Sequence, residues 1–166
     1  GRVVIPKEIR RTMRIREGDP LEIFTTRDGE VIFKKYSLIG GLEDFAAQFC
    51  DTLARSSEFT AVITDRDSVI ATAGPDKRDL IGRPLTSEME QLMDGRSIYQ
   101  RSRGDAALPV CQGNDHLIAA TAAPILCQGD VLGLVLFAAG EGQYPDESEY
   151  KLAQTVSSFL GKHMES

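Results

Sequence analysis

The sequence predicts an α+β chain in two parts: a small head within the first three dozen residues, then a larger antiparallel sheet flanked by helices. Three observations carry this. Segments 42–55 and about 146–164 repeat apolar residues at the three- and four-residue spacing of an amphipathic helix. Strand-like runs come in pairs joined by turn residues, 21–25 with 31–35 around Asp28-Gly29 and 117–127 with 131–138 around Gln128-Gly129-Asp130. From 42 onward the order is helix, two strands, helices, further strands, helix, so the strands pair as hairpins instead of alternating singly with helices.

Within the head, Val3-Val4-Ile5 is β-branched and reads as the end of a strand. Pro6 suits the first turn of a helix, where its missing N–H is not needed. Residues 7–14 then make a short helix in which Ile9 and Met13, four apart, share the face expected to be buried, with Gly18 as its stop and Asp19-Pro20 as turn chemistry. Strand 21–25, the Asp28-Gly29 turn and strand 31–35 complete the unit, and Lys34 and Lys35 are expected on the exposed side of the last strand. A unit this short seldom encloses enough apolar surface to fold alone. It holds no cysteine and no metal-ligand spacing, so two copies interleaving their strands around one shared core is the simplest way to complete it.

Residues 37–41, with Gly40-Gly41, read as a linker. Leu42, Phe45, Phe49 and Leu53 form the apolar stripe of the next helix. Strands follow at 59–64 and 69–73 around Asp65-Arg66-Asp67-Ser68, ending at Gly74-Pro75. The segment 76–94 is polar and helical, broken near Gly82-Arg83-Pro84, and 97–111 holds one or two short strands around Gly104. In the last helix Leu152, Val156, Phe159, Leu160 and His163 lie along one side. The first and last helices of this part pack together on one face of the sheet or form a bundle between subunits.

The 166 residues are 42% hydrophobic and 27% charged, enough apolar material for a core and unlike a disordered chain. Charge is unevenly spread. Residues 1–36 hold nine Lys/Arg against six Asp/Glu, a net of +3, and the remainder holds ten against nineteen, a net of −9, which together give the −6 of the chain. A basic segment on an acidic molecule points to an anionic partner for that segment alone. Three cysteines without a CxxC make a disulfide framework unexpected and fit a reducing compartment. The longest apolar stretch, Leu132 to Ala139, is interrupted by Gly133 and is too short to span a bilayer.

The run GRVVIPKEIRRTMRIREGDPLEIF, continuing to VIFKKY at 31–36, resembles the swapped-hairpin DNA-binding domain of AbrB-type transition-state regulators, over about a fifth of the chain. In that family two chains interlock into one small β-barrel. The resemblance implies a further family strand N-terminal to Gly1. The remainder is similar to a GAF domain through DRDSVIATAG (65–74), IGRPL (81–85) and APILCQGDVLGLVLFA (123–138). Head and GAF-like part in this order resemble the stage V sporulation protein T family. That resemblance implies an AbrB-type head at 1–36, a linker at 37–41 and a GAF-like sensing and oligomerisation domain at 42–166. It also implies a tetrameric, cytoplasmic, nucleoid-associated regulator of late forespore genes, acting as activator or repressor on double-stranded DNA, with no membrane partner and no cofactor.

The residues expected to act on DNA are Arg2, Arg10 and Arg11, which the resemblance aims at phosphates and base edges, with Lys7 and Arg14 as peripheral phosphate contacts. Arginine suits both tasks because its planar fork bonds bidentately to phosphate or guanine. From spacing alone the same arginines could equally be a solvated helix face. The connection 74–116 carries Arg78, Arg83, Arg96, Arg101 and Arg103 among several carboxylates, so it is either an effector site for a polar small molecule or a solvated loop region. Two other readings are a cysteine-dependent methionine sulfoxide reductase of GAF fold and an antitoxin. For the first, Cys111 in the loop-rich region is the one plausible reactive thiol, since Cys50 and Cys127 sit on apolar elements. Against the second stands a folded part of about 125 residues where antitoxins carry a short tail. Cys111, His116 and Cys127 have no recognised zinc spacing, and the histidines read as ordinary surface or half-buried residues.

Overall fold

The computed structural model describes residues 1–35 and 43–164, in two compact units, Gly1–Leu38 and Ile39–Ser166. The expected linker 37–41 and Leu42 lie outside the described residues. The first unit consists of α1 (Lys7–Thr12) and an antiparallel hairpin of β1 (Leu21–Thr25) and β2 (Val31–Lys35), in the register Leu21↔Lys35 to Thr25↔Val31. Gly29 takes the positive φ of +88° that the turn requires.

Three expectations fail here. Val3-Val4-Ile5 is not a strand, because a strand exists only when paired and no described residue of the chain pairs with these. The helix ends before Gly18: Arg14, at φ +53°, breaks it one residue beyond Met13. Ile9 and Met13 are exposed, as are Val3, Val4, Ile23, Phe24, Val31 and Ile32. Not one of the described residues 1–35 is buried.

In the second unit, six antiparallel strands form one sheet. They are β3 (Thr60–Thr64), β4 (Val69–Ala73), β5 (Tyr99–Gln100), β6 (Pro109–Cys111), β7 (Asn114–Cys127) and β8 (Asp130–Ala139), in the order β4-β3-β8-β7-β5 with β6 pairing to β7. The β7–β8 hairpin closes through Gln128 and Gly129, at φ +50° and +87°, between the paired Cys127 and Asp130. Positive φ at both central residues matches the right-handed twist of the strands they join.

Helices α2 (Glu43–Arg55) and α4 (Glu147–His163) lie on one face, where Ala46, Cys50 and Leu53 meet Ala153, Val156 and Leu160 over Ile63, Val135 and Phe137. The other face is covered by α3 (Ser87–Gly95) and the segments around it, with Leu80, Leu85, Met89, Met93 and Val110 against Val62, Leu134, Leu136 and Ala138. Strand residues alternate between the two layers, so β3 and β8 are buried on both sides and read as continuous apolar runs.

Candidate nucleic-acid interface

Pro6 caps α1 from outside (φ −54°, ψ 143°), and its carbonyl accepts the Arg10 N–H at 3.0 Å. Lys7, Arg10 and Arg11 follow at spacings of three and four, so they occupy one face of the helix. All three are exposed, and so is Arg2 in the extended segment ahead of the helix. Arg10 and Arg11 fall in the last turn, where the helix dipole favours cations. Arg14 is half-buried in the left-handed conformation that turns the chain out of the helix, and the Arg10 carbonyl accepts from Ile15 N–H at 2.8 Å.

The platform beneath these cations is tied by polar contacts. Lys35 Nζ donates to the Arg14 carbonyl at 2.9 Å, joining β2 to the end of the helical segment. Lys35 is therefore half-buried and structural, contrary to its expected place on the exposed side of the strand. Lys34 is exposed, with its ammonium 5.4 Å from the centre of the Phe24 ring. The Arg16 N–H donates to Asp19 Oδ2 at 2.7 Å, closing the turn before β1.

The connection 74–116 of the second unit is not simply solvated. Its apolar residues form the layer described above, and three of its five arginines hold backbone carbonyls: Arg83 Nε to Asp79 O at 2.7 Å, Arg96 Nη1 to Gly129 O, and Arg101 Nη1 to Glu141 O at 2.7 Å. Arg78 and Arg103 are exposed.

The thiols differ from expectation in one respect. Cys111 is enclosed in β6 rather than presented by a loop, and burial pushes its thiol up from the ordinary value, against a smaller lowering by Arg83. Cys50 is pushed up to about 12, mainly by burial. Cys127 is half-buried at the end of β7. His116 and His163 are exposed, and His163 stacks on Phe45 and Phe159. Sequence reasoning missed Arg101 as the buried cation of the connection, because nothing in the spacing of five arginines distinguishes it from its neighbours.

Residues 1–38 match the family described as antidote-toxin recognition MazE, bacterial antitoxin. Residues 41–165 match the family described as stage V sporulation protein T C-terminal, transcription factor. Stage V sporulation protein T of Bacillus subtilis (strain 168) is 44% identical over 165 residues, covering 99% of this chain and 92% of that protein. Among solved structures, the type II free methionine-R-sulfoxide reductase of Thermoplasma acidophilum superposes with TM-score 0.56 at 9% identity, over 76% of this chain and 94% of that one. The GAF domain/HD domain protein of Geobacter sulfurreducens gives 0.54 at 15%, over 78% and 99%. The phycocyanobilin-bound GAF domain of a cyanobacterial phytochrome gives 0.52 at 19%, over 75% and 84%. At such identities these three show a GAF-like fold and no activity. With the two matched segments in this order and near full-length identity to one relative, the chain belongs to the stage V sporulation protein T family.

Proposed function

We propose that this protein is a DNA-binding regulator of sporulation gene expression, acting in the cytoplasm of the forespore. In this reading Arg2, Arg10 and Arg11 meet phosphates and base edges, and Lys7 and Arg14 make peripheral phosphate contacts. The observation that carries it is the exposed arginine face on a unit none of whose described residues is buried. Val4 is 86% exposed and Ile23 62%, and a second copy that covers such residues would bring two arginine faces into one groove-sized array. The GAF-like unit then serves assembly and the sensing of a small-molecule effector. The MazE resemblance of the head fits this role equally, because it is followed by a folded domain. Catalysis by a thiol finds no support in two enclosed cysteines whose burial favours the inert protonated form.

The test is a genome-wide binding map of the native chain beside the double variant Arg10→Ala/Arg11→Ala. Discrete peaks lost in the variant are expected. On any single site, two copies of three arginines should give a slope of roughly −5 in log affinity against log salt. A slope near zero would remove the arginine face as the anchor.

A further inference from the structure

Of the described lysines and arginines, only Arg101 is buried, at 4% exposure. It follows the edge strand β5, and its N–H extends the pairing to Ala120 O at 2.8 Å. Its guanidinium carbon stands 4.9 Å from the centre of the Tyr144 ring, and that of Arg103 stands 5.8 Å from the same ring. Nη1 is taken by the Glu141 carbonyl, whereas Nε is enclosed with no acceptor. Nη2 has no acceptor among the described residues and is not enclosed. Two residues earlier, the Tyr99 hydroxyl is also enclosed and unpartnered.

Taking a cation out of water is costly unless it is paired and hydrogen-bonded. A carbonyl and a ring face return only part of that cost. No carboxylate among the described residues pairs with Arg101: Glu141 presents its backbone carbonyl, and Asp105 Oδ2 accepts from Ser102 N–H at 2.8 Å. With Nε enclosed and Nη1 taken, Nη2 is the donor of this guanidinium left for a ligand oxygen. Arg103 adds a second positive charge beside the same ring. Asp105 carries a negative charge close enough to act on Tyr99, which disfavours a dianion.

We propose that the corner formed by Arg101, Arg103 and Tyr144 binds a small monocarboxylate, held by Nη2 of Arg101 with the Arg103 charge beside it. The inference deepens the sensing role given above to the GAF-like unit and rests on it. Occupancy would be felt at α4, because Glu141 and Tyr144 lie on the segment entering that helix and Gln100 Nε2 donates to the Asp146 carbonyl at its N-cap, 2.9 Å away.

The experiment follows the arginine Nε–H resonances of the ¹⁵N-labelled full-length chain during titration with sodium acetate or benzoate, ionic strength being held constant with chloride. Arg101 Nε–H is assigned by its loss in Arg101→Lys. Should that variant not fold, Tyr144→Leu assigns it through the lost ring current. A saturable shift of this resonance is expected. In Arg101→Lys the apparent affinity, read from the rise in melting temperature, should weaken about 30-fold or more. No saturable shift, an equal shift with chloride alone, or a stronger response to inorganic phosphate overturns the proposal. A carboxylate-dependent rise in melting temperature that survives in Arg101→Lys overturns this site and leaves the sensing role standing.

Discussion

Cys50 sits on the inner side of α2 with its thiol pushed up to about 12, and Cys111 is equally enclosed, so neither is available as a thiolate at neutral pH. In the native chain a disulfide-exchange reagent should titrate Cys127 alone, and all three thiols should react in denaturant. Rapid native labelling of Cys111 would contradict its burial. The sign of the pH effect follows from the Cys50 shift. Because the folded chain holds the proton more tightly, stability is intact below the ordinary value of 9.0 and falls as pH rises from there towards about 12. The loss is roughly 1 kcal/mol per pH unit in that window, and Cys50→Ala should flatten alkaline denaturation there at the cost of a small cavity. At the start of α4 the Ser148 hydroxyl approaches Asp146 Oδ1 at 2.5 Å and also Glu149 Oε2. Burial raises Glu149 from its ordinary value, whereas hydrogen bonds from Ser148 lower Asp146. Glu149→Gln should therefore melt higher than the native chain at neutral pH, with the difference closing on acidification below the ordinary glutamate range. Residue types alone could not foresee Cys111: it is placed by a three-residue strand in a stretch with no periodicity. The buried Arg101 is placed in the same way, by contacts distant in sequence.

At the scale of elements, local chemistry made most of the structure legible. The β1, β2 and β4 spans follow their apolar runs residue for residue, because Gly29 supplies the positive φ of the first turn and Asp65 Oδ1, accepting from the Asp67 and Ser68 N–H groups, closes the turn ahead of β4. Errors arise where an element depends on something beyond its own sequence. Val3-Val4-Ile5 has strand propensity and no partner, and α1 stops at Thr12 through Arg14 in a conformation that arginine rarely adopts. The close approach of α4 to β7 was likewise invisible in the sequence. A Cβ on Gly161 would lie 2.1 Å from the Leu126 carbonyl oxygen, so that glycine sets how near the helix can come to the strand. Gly161→Ala should cost about 1–3 kcal/mol by pushing α4 outward, even though alanine favours a helix in isolation. Chemical denaturation checks it, and an unchanged midpoint would mean that the helix–strand spacing is not fixed there.

For the whole molecule, each unit separately presents a surface that one copy leaves open. The head exposes apolar residues along both strands of its hairpin. On the outer side of α2 and α4, Phe45 is 37% exposed and Phe159 45%, within a cluster that includes Phe49 and His163, with ring centres 5.2 to 6.0 Å apart. Such rings can turn an outer helix face into an interhelical seam. If the heads pair and the helices pair, two separate interfaces generate a dimer of dimers. The two contacts should then be separable. Phe159→Glu puts a charge on the helical ridge without touching the sheet core, so sedimentation should report dimers in place of tetramers, with specific DNA binding weakened through lost multivalency but still present. Ile23→Glu acts in the head and should abolish DNA binding at every protein concentration while leaving association through the helices intact. A native chain that sediments as a monomer at micromolar concentration would defeat both expectations, because a head without an internal core would then have to bind DNA as a single copy.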